Sequence, residues 1–153
     1  MNKTTAVVLL GVTLILSGCG SNSHLAGNIN GLWSATMSSS GADAFSFMTN
    51  LTVNADGSLG TTNFSLTVNS GPCTFPTSTE SGTFKITGNF NGQVSGKFHY
   101  VITSTGVEVN TLTLDGTVSA GQISGTWSVS GATANCTGTG TFTMNPVLVP
   151  ATR

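Results

Sequence analysis

From Gly31 onward the chain alternates apolar and polar residues with a period of two. Phe45, Phe47, Leu51 and Val53 are interleaved with Ser46, Met48, Asn50 and Thr52, and Phe64, Leu66 and Val68 with Ser65 and Thr67. Phe84, Ile86, Gly88 and Phe90 alternate with Lys85, Thr87 and Asn89, while Val94, Phe98, Tyr100 and Ile102 oppose Ser95, Lys97, His99 and Thr103. The same rhythm returns in Ile123, Trp127 and Val129 and again in Phe142 and Met144. Successive side chains of a strand point to opposite faces, so the pattern predicts antiparallel sheet with one buried face and one Thr- and Ser-rich face in water. Of the eleven aromatic residues, all but Phe75 fall on the apolar face.

The pattern divides into eight strands, at about 32–38, 44–54, 59–69, 82–90, 93–103, 107–118, 122–130 and 136–144. Asp56-Gly57 and Asn91-Gly92 are hairpin dipeptides, since their residues tolerate the positive φ of a tight turn, and Ala120-Gly121 is a weaker signal of the same kind. One phase conflict stands out: Val107 and Val109 are odd-numbered, whereas Leu112, Leu114 and Val118 are even, which predicts a bulge near Asn110-Thr111. A short repeat supports the strand count, because Gly92-Gln93-Val94-Ser95-Gly96-Lys97-Phe98 matches Gly121-Gln122-Ile123-Ser124-Gly125-Thr126-Trp127. Each copy carries an interior glycine before its aromatic, as a tightly curved sheet requires. The fold class expected is all-β: an antiparallel eight-stranded up-and-down meander, closed or nearly closed into a barrel, with a two-sheet sandwich as the alternative.

The first twenty residues follow a different logic. Lys3 supplies a positive charge, Ala6 to Leu16 is a nearly unbroken apolar run, and the run ends in Leu16-Ser17-Gly18-Cys19. Eleven apolar residues are too few to span a bilayer, which needs about 20, and read as the core of a secretory signal. The closing tetrapeptide resembles a bacterial lipobox. That resemblance implies cleavage before Cys19 and a diacylglycerol on its thiol, hence a membrane partner held through a lipid anchor. Gly20 stands where an Asp would favour retention at the inner membrane, so the resemblance points to the outer membrane. The expected organisation is a signal peptide over 1–18, lipidated Cys19 and a flexible tether over 19–30, a β domain over 31–145 and a tail over 146–153. A Gly- and Ser-rich tether of this length spans roughly 18 Å root-mean-square, holding the domain close to the lipid. His24, within it, is expected to be solvated.

Composition narrows the partners. Only 6% of the residues are charged and the formal net charge is −1, while 38% are hydrophobic, enough for a packed core and unlike a disordered chain. No basic stripe is present that could neutralise phosphates along a duplex, which argues against nucleic acid. Beyond Cys19 two cysteines remain, Cys73 and Cys136, and an even count in an exported protein predicts a disulfide between them. The alternatives are two free thiols or half of a metal site, and two Cys without a nearby His make a poor zinc site. No cofactor or metal is expected. His99 lies outward by parity, Asp56 and Asp115 are each assigned to turns beside glycine, and Glu80 and Glu108 are isolated in sequence. With no Gly-x-Ser-x-Gly elbow and no pair of carboxylates that can be placed together, the chain reads as non-catalytic.

Gly31-Leu32-Trp33 at the start of an eight-strand meander resembles the opening of the calycin families, lipocalins and avidins, which hold small apolar molecules inside a barrel. The chain departs from the lipocalin pattern in having no Arg on its last strand to cover Trp33. A cavity, if present, would be lined by Trp33, Phe47, Phe64, Tyr100 and Trp127; the alternative is that these rings fill the interior. The functional expectation is therefore a lipid-anchored envelope protein binding a small apolar ligand, or a structural or adhesive domain with a filled core.

Overall fold

The computed structural model describes residues 29–90 and 93–148. The expected signal peptide, Cys19 and the expected tether through residue 28, the Asn91-Gly92 hairpin signal, the side chains of Asn89, Phe90 and Gln93 and the expected tail from residue 149 lie outside the described residues. Eight strands follow in order: β1 (Gly31–Ser39), β2 (Ala42–Val53), β3 (Leu59–Val68), β4 (Ser78–Phe90), β5 (Gln93–Ser104), β6 (Asn110–Ser119), β7 (Gln122–Gly131) and β8 (Thr137–Pro146). They form one antiparallel sheet in the order β3-β2-β1-β8-β7-β6-β5-β4. A single sheet curled on itself is a nearly closed barrel, and the sandwich alternative falls away. The ladder is continuous where β1 meets β8, from Trp33 opposite Pro146 to Ser38 opposite Thr141.

The two sheet edges are β3 and β4, consecutive in sequence. They touch near one end, where Ser58 bridges Thr83 and the Phe84 amide donates to the Gly57 carbonyl at 2.8 Å. Toward the other end they part, leaving a seam. β4 starts at Ser78, four residues earlier than its pattern suggests, because Ser78-Thr79-Glu80-Ser81 pairs with Val101–Ser104 without any apolar alternation to announce it. Polar residues and a part-buried Glu80 on this edge discourage a foreign strand from adding to it.

Parity holds along most of the chain. Trp33, Phe45, Phe47, Phe84, Phe98, Tyr100, Trp127 and Phe142 are all buried, with Leu112, Leu114, Ile123 and Met144 beside them. Three expectations are corrected. The bulge near Asn110-Thr111 is absent: β6 begins at Asn110, and Val107 and Val109 belong to an exposed connection. A phase change does occur in β3, where Asn63 adopts a φ of 54° and the pairing slips between Met48 and Asn50, turning the inward set from Leu59 to Phe64, Leu66 and Val68. Ile86, inward by parity, is exposed, because β4 slips register between Ile86 and Gly88 at the barrel's end. Phe75, the one aromatic outside the pattern, also joins the core edge, meeting the Phe45 ring edge-on at 6.3 Å.

Turn chemistry follows the sequence signals. Ala120 and Gly121 have φ of 49° and 77°, the paired positive values of a two-residue hairpin. Ser40-Gly41, with φ of 51° and 82°, joins β1 to β2 in the same way. Asp56 caps its own turn, accepting from the Ser58 amide at 2.9 Å and the Ser58 hydroxyl at 2.7 Å; these bonds, the hydroxyl first, hold its carboxyl below the ordinary range. The domain takes in Ile29 and Asn30, which composition assigns to the tether. Ile29 is fully buried, and the Val53 amide donates to Asn30 Oδ1 at 2.7 Å.

Candidate functional site

The five residues nominated as cavity lining can be placed one by one. Trp33 is fully buried and its indole N–H donates to the Ile29 carbonyl at 2.8 Å. Phe47 packs between Phe64, at 5.4 Å between centroids, and Tyr100, at 5.8 Å. Trp127 meets Phe45 edge-on at 5.3 Å and donates to the Ser38 carbonyl at 3.2 Å. Four of the five are therefore in ring-to-ring or side-chain-to-backbone contact in the core. Phe64 alone is part-exposed, in the seam.

The interior is fitted by setting rings over glycines. A Cβ on Gly82 would meet the Tyr100 ring at 2.8 Å, and one on Gly116 would meet the Phe142 ring, also at 2.8 Å. Gly138 and Gly140 lie against the Trp127 indole. The repeated glycines behave alike: at Gly96 a Cβ would strike the Phe84 ring, and at Gly125 the Asp115 carbonyl and the Gly116 Cα. Small residues opposite large ones let a narrow barrel close around its own side chains.

Tyr100 is the most deeply buried ionisable group among the described residues. Burial pushes its phenol up to about 12, although its hydroxyl lies 3.2 Å from Thr61 Oγ1, a bond that works in the other direction; the Glu80 charge adds to the rise. Nearby, Thr49 Oγ1 is buried without a hydrogen bond of good geometry. Because the fold favours the neutral phenol, the folded chain holds this proton more tightly than the unfolded one. The associated stability is complete below about pH 10 and is lost as pH rises toward 12, on the order of 2 kcal/mol in all. Tyr100 is the sole tyrosine, so phenolate absorbance reads it alone. Absorbance should rise near pH 12 or together with alkaline unfolding; a midpoint near pH 10 in the folded protein would contradict the buried placement.

Cys73 and Cys136 form a disulfide with their Cα atoms 4.7 Å apart. It ties the β3–β4 connection across the barrel end to the start of β8. Asn110 works at the same end: its amide N–H₂ donates to the Thr74 carbonyl at 2.9 Å and to Thr133 Oγ1 at 2.8 Å, and its backbone N–H donates to Ser104 Oγ at 2.7 Å. This buried clamp was not legible in the sequence, where Asn110 reads only as an irregularity.

The outer surface carries two concavities of note. The seam cleft, about 390 Å³, lies between Phe64, Leu66, Phe75 and Glu80. A larger groove, about 640 Å³, crosses β4 to β7 on the outside of the sheet. One wall is the cross-strand row Thr83, His99, Asp115 and Thr126; the other is Lys85, Lys97, Thr117 and Ser124. Backbone at Phe98, Gly116 and Gly125 forms the floor. His99 is outward as parity requires, but Asp115 is corrected: it is no turn residue, lying mid-strand opposite His99 with Oδ1 2.7 Å from Nδ1. A His–Asp dyad could orient an imidazole as a base, yet no hydroxyl among the described residues bonds its other nitrogen, and a single carboxylate attends it. Among the described residues no three His, Cys, Asp or Glu side chains gather as a metal site would require.

Comparison with known proteins gives no match, whether among family models, curated proteins or solved structures.

Proposed function

We propose that the chain is a non-catalytic lipoprotein of the bacterial cell envelope, anchored in the outer membrane by acyl chains on Cys19, whose barrel is filled by its own side chains and which meets its surroundings through its outer face. The observation that carries this reading is the set of rings seated on glycines, Phe84, Tyr100, Trp127 and Phe142, which are buried to 0–3% exposure alongside Trp33 and Phe47. A barrel built to carry a ligand keeps some of its rings facing open space. The anchoring half of the reading rests on Leu16-Ser17-Gly18-Cys19 and the apolar run before it. Two or more acyl chains give stable attachment where one does not.

A second reading has one observation in its favour. Phe64, Leu66 and Phe75 give the seam cleft an apolar part among the polar Ser65, Thr77, Ser78 and Glu80, with room for a small ligand held at the edge of the barrel rather than within it.

Mass spectrometry of the protein extracted from its own membranes tests both. Under denaturing conditions the mass should equal the chain from Cys19 plus a diacylglycerol and any further acyl group, and Cys19→Ala should yield an unlipidated precursor. Under native conditions no further mass should accompany the protein. An unmodified Cys19 would remove the anchor, and a co-purified apolar molecule would replace the filled-barrel reading with the seam-ligand one.

A further inference from the structure

The charge distribution on the outer face is uneven in a way the fold does not need. Among the described residues the basic side chains are Lys85, Lys97 and His99, against five carboxylates, Asp43, Asp56, Glu80, Glu108 and Asp115. All three basic groups line the same groove. Lys85 and Lys97 are directly opposite one another on β4 and β5, and both are exposed. Like charges directly opposite on a sheet are destabilising. Among the described residues neither lysine makes a salt bridge, although the domain has more acids than bases. The nearest acidic wall residue, Asp115, is already engaged by His99 Nδ1 at 2.7 Å. The two lysines are thus left beside the groove without an acidic partner among the described residues, with Thr117 and Ser124 along the same wall.

We propose that this groove is an oxyanion site that takes a phosphate monoester group between the Lys85 and Lys97 ammoniums, with Thr117 and Ser124 as additional donors. Lysine binds phosphate as a compact point charge, and two of them with neighbouring hydroxyls suit a tetrahedral anion with several acceptor oxygens. Strand spacing makes the groove about 14 Å long from β4 to β7, room for the group that bears the phosphate to lie across the strands toward His99 and Thr126. The site is independent of the lipid anchor and rests on the outer-face part of the proposed function. A groove that binds nothing would leave the filled barrel untouched, so the two can fail separately.

The test is a titration of the purified protein followed by backbone amide NMR shifts at constant ionic strength. Inorganic phosphate is one probe, short-chain phosphatidic acid below its micelle concentration a second, and chloride and acetate the controls. Saturable shifts at Lys97, Gly116, Thr117 and Gly125 are expected with phosphate, and the Lys85→Gln/Lys97→Gln variant should bind at least tenfold more weakly. The variant should melt no lower than the parent without phosphate, since it removes a repulsion; the single Lys97→Gln change, expected to weaken binding several-fold, provides a second variant. Tighter binding of the phosphatidic acid would identify a lipid headgroup as the source, and equal binding a free phosphate monoester. Absence of saturable shifts with either phosphate probe, an equal response to chloride, or unchanged affinity in the double variant would each overturn the site.

Discussion

A Cys73→Ala/Cys136→Ala variant should melt on the order of 10–20 °C below the parent. The bridge spans 63 residues of sequence, and on the chain-entropy account a closed loop of that length is worth roughly 4 kcal/mol. For a domain of this size each kcal/mol moves the melting temperature by roughly 3–6 °C. The location strengthens the expectation. Cys73 sits in the connection that has no strand of its own, between the two edge strands, which are bridged only near one end, and the disulfide holds that connection to the start of β8. Both sulfurs are buried, so reductant acts on the native protein only as the barrel end opens, and the double variant is the cleaner measurement. Thermal unfolding by circular dichroism reads the result. A shift under about 3 °C would mean that Asn110 and its partners fasten the barrel end without help.

Trp33→Ala should destabilise the domain by about 3–5 kcal/mol, with Trp33→Phe costing distinctly less. Trp33 is fully buried on β1, next to the β1–β8 ladder, and its N–H satisfies the Ile29 carbonyl. Truncation removes the transfer energy of the indole and leaves a void that packed neighbours cannot fill, which adds about 24 cal/mol per Å³ of residual space. Phenylalanine keeps most of the apolar contact and gives up mainly the hydrogen bond, worth about 1 kcal/mol. Urea titration would give both values. A loss under about 2 kcal/mol for Trp33→Ala would show that space already exists around the ring, contrary to a filled interior.

Most of the architecture was legible because period-two alternation and turn dipeptides are local signals that the fold did not override. Phe98 and Tyr100 lie inward and Lys97 and His99 outward as their spacing dictates, and Ala120-Gly121 turns where its residue types allow. The misreadings share a cause. Val107 and Val109 look like strand but have no neighbouring strand to pair with, while Ser78-Thr79-Glu80-Ser81 look like loop and do. Pairing is decided by long-range register, which a window of sequence does not contain. The interior glycines could be read as marking close approach, but which ring lies over which glycine depends on strand order. The same limit hid the groove. Lys85 and Lys97 are twelve positions apart and His99 and Asp115 sixteen, and only the register of β4, β5 and β6 brings them level.

The sheet is continuous across its first and last strands and open between two that follow one another in the chain. Leu32 accepts from the Val147 amide at 2.8 Å, so the two ends of the domain lie side by side. A short linker could therefore join residue 147 to residue 29, and new termini could be cut in the β3–β4 connection, without breaking a ladder of the sheet. In such a circular permutant the order of strands along the chain would match their order in space from one edge to the other, and every ladder would join consecutive strands.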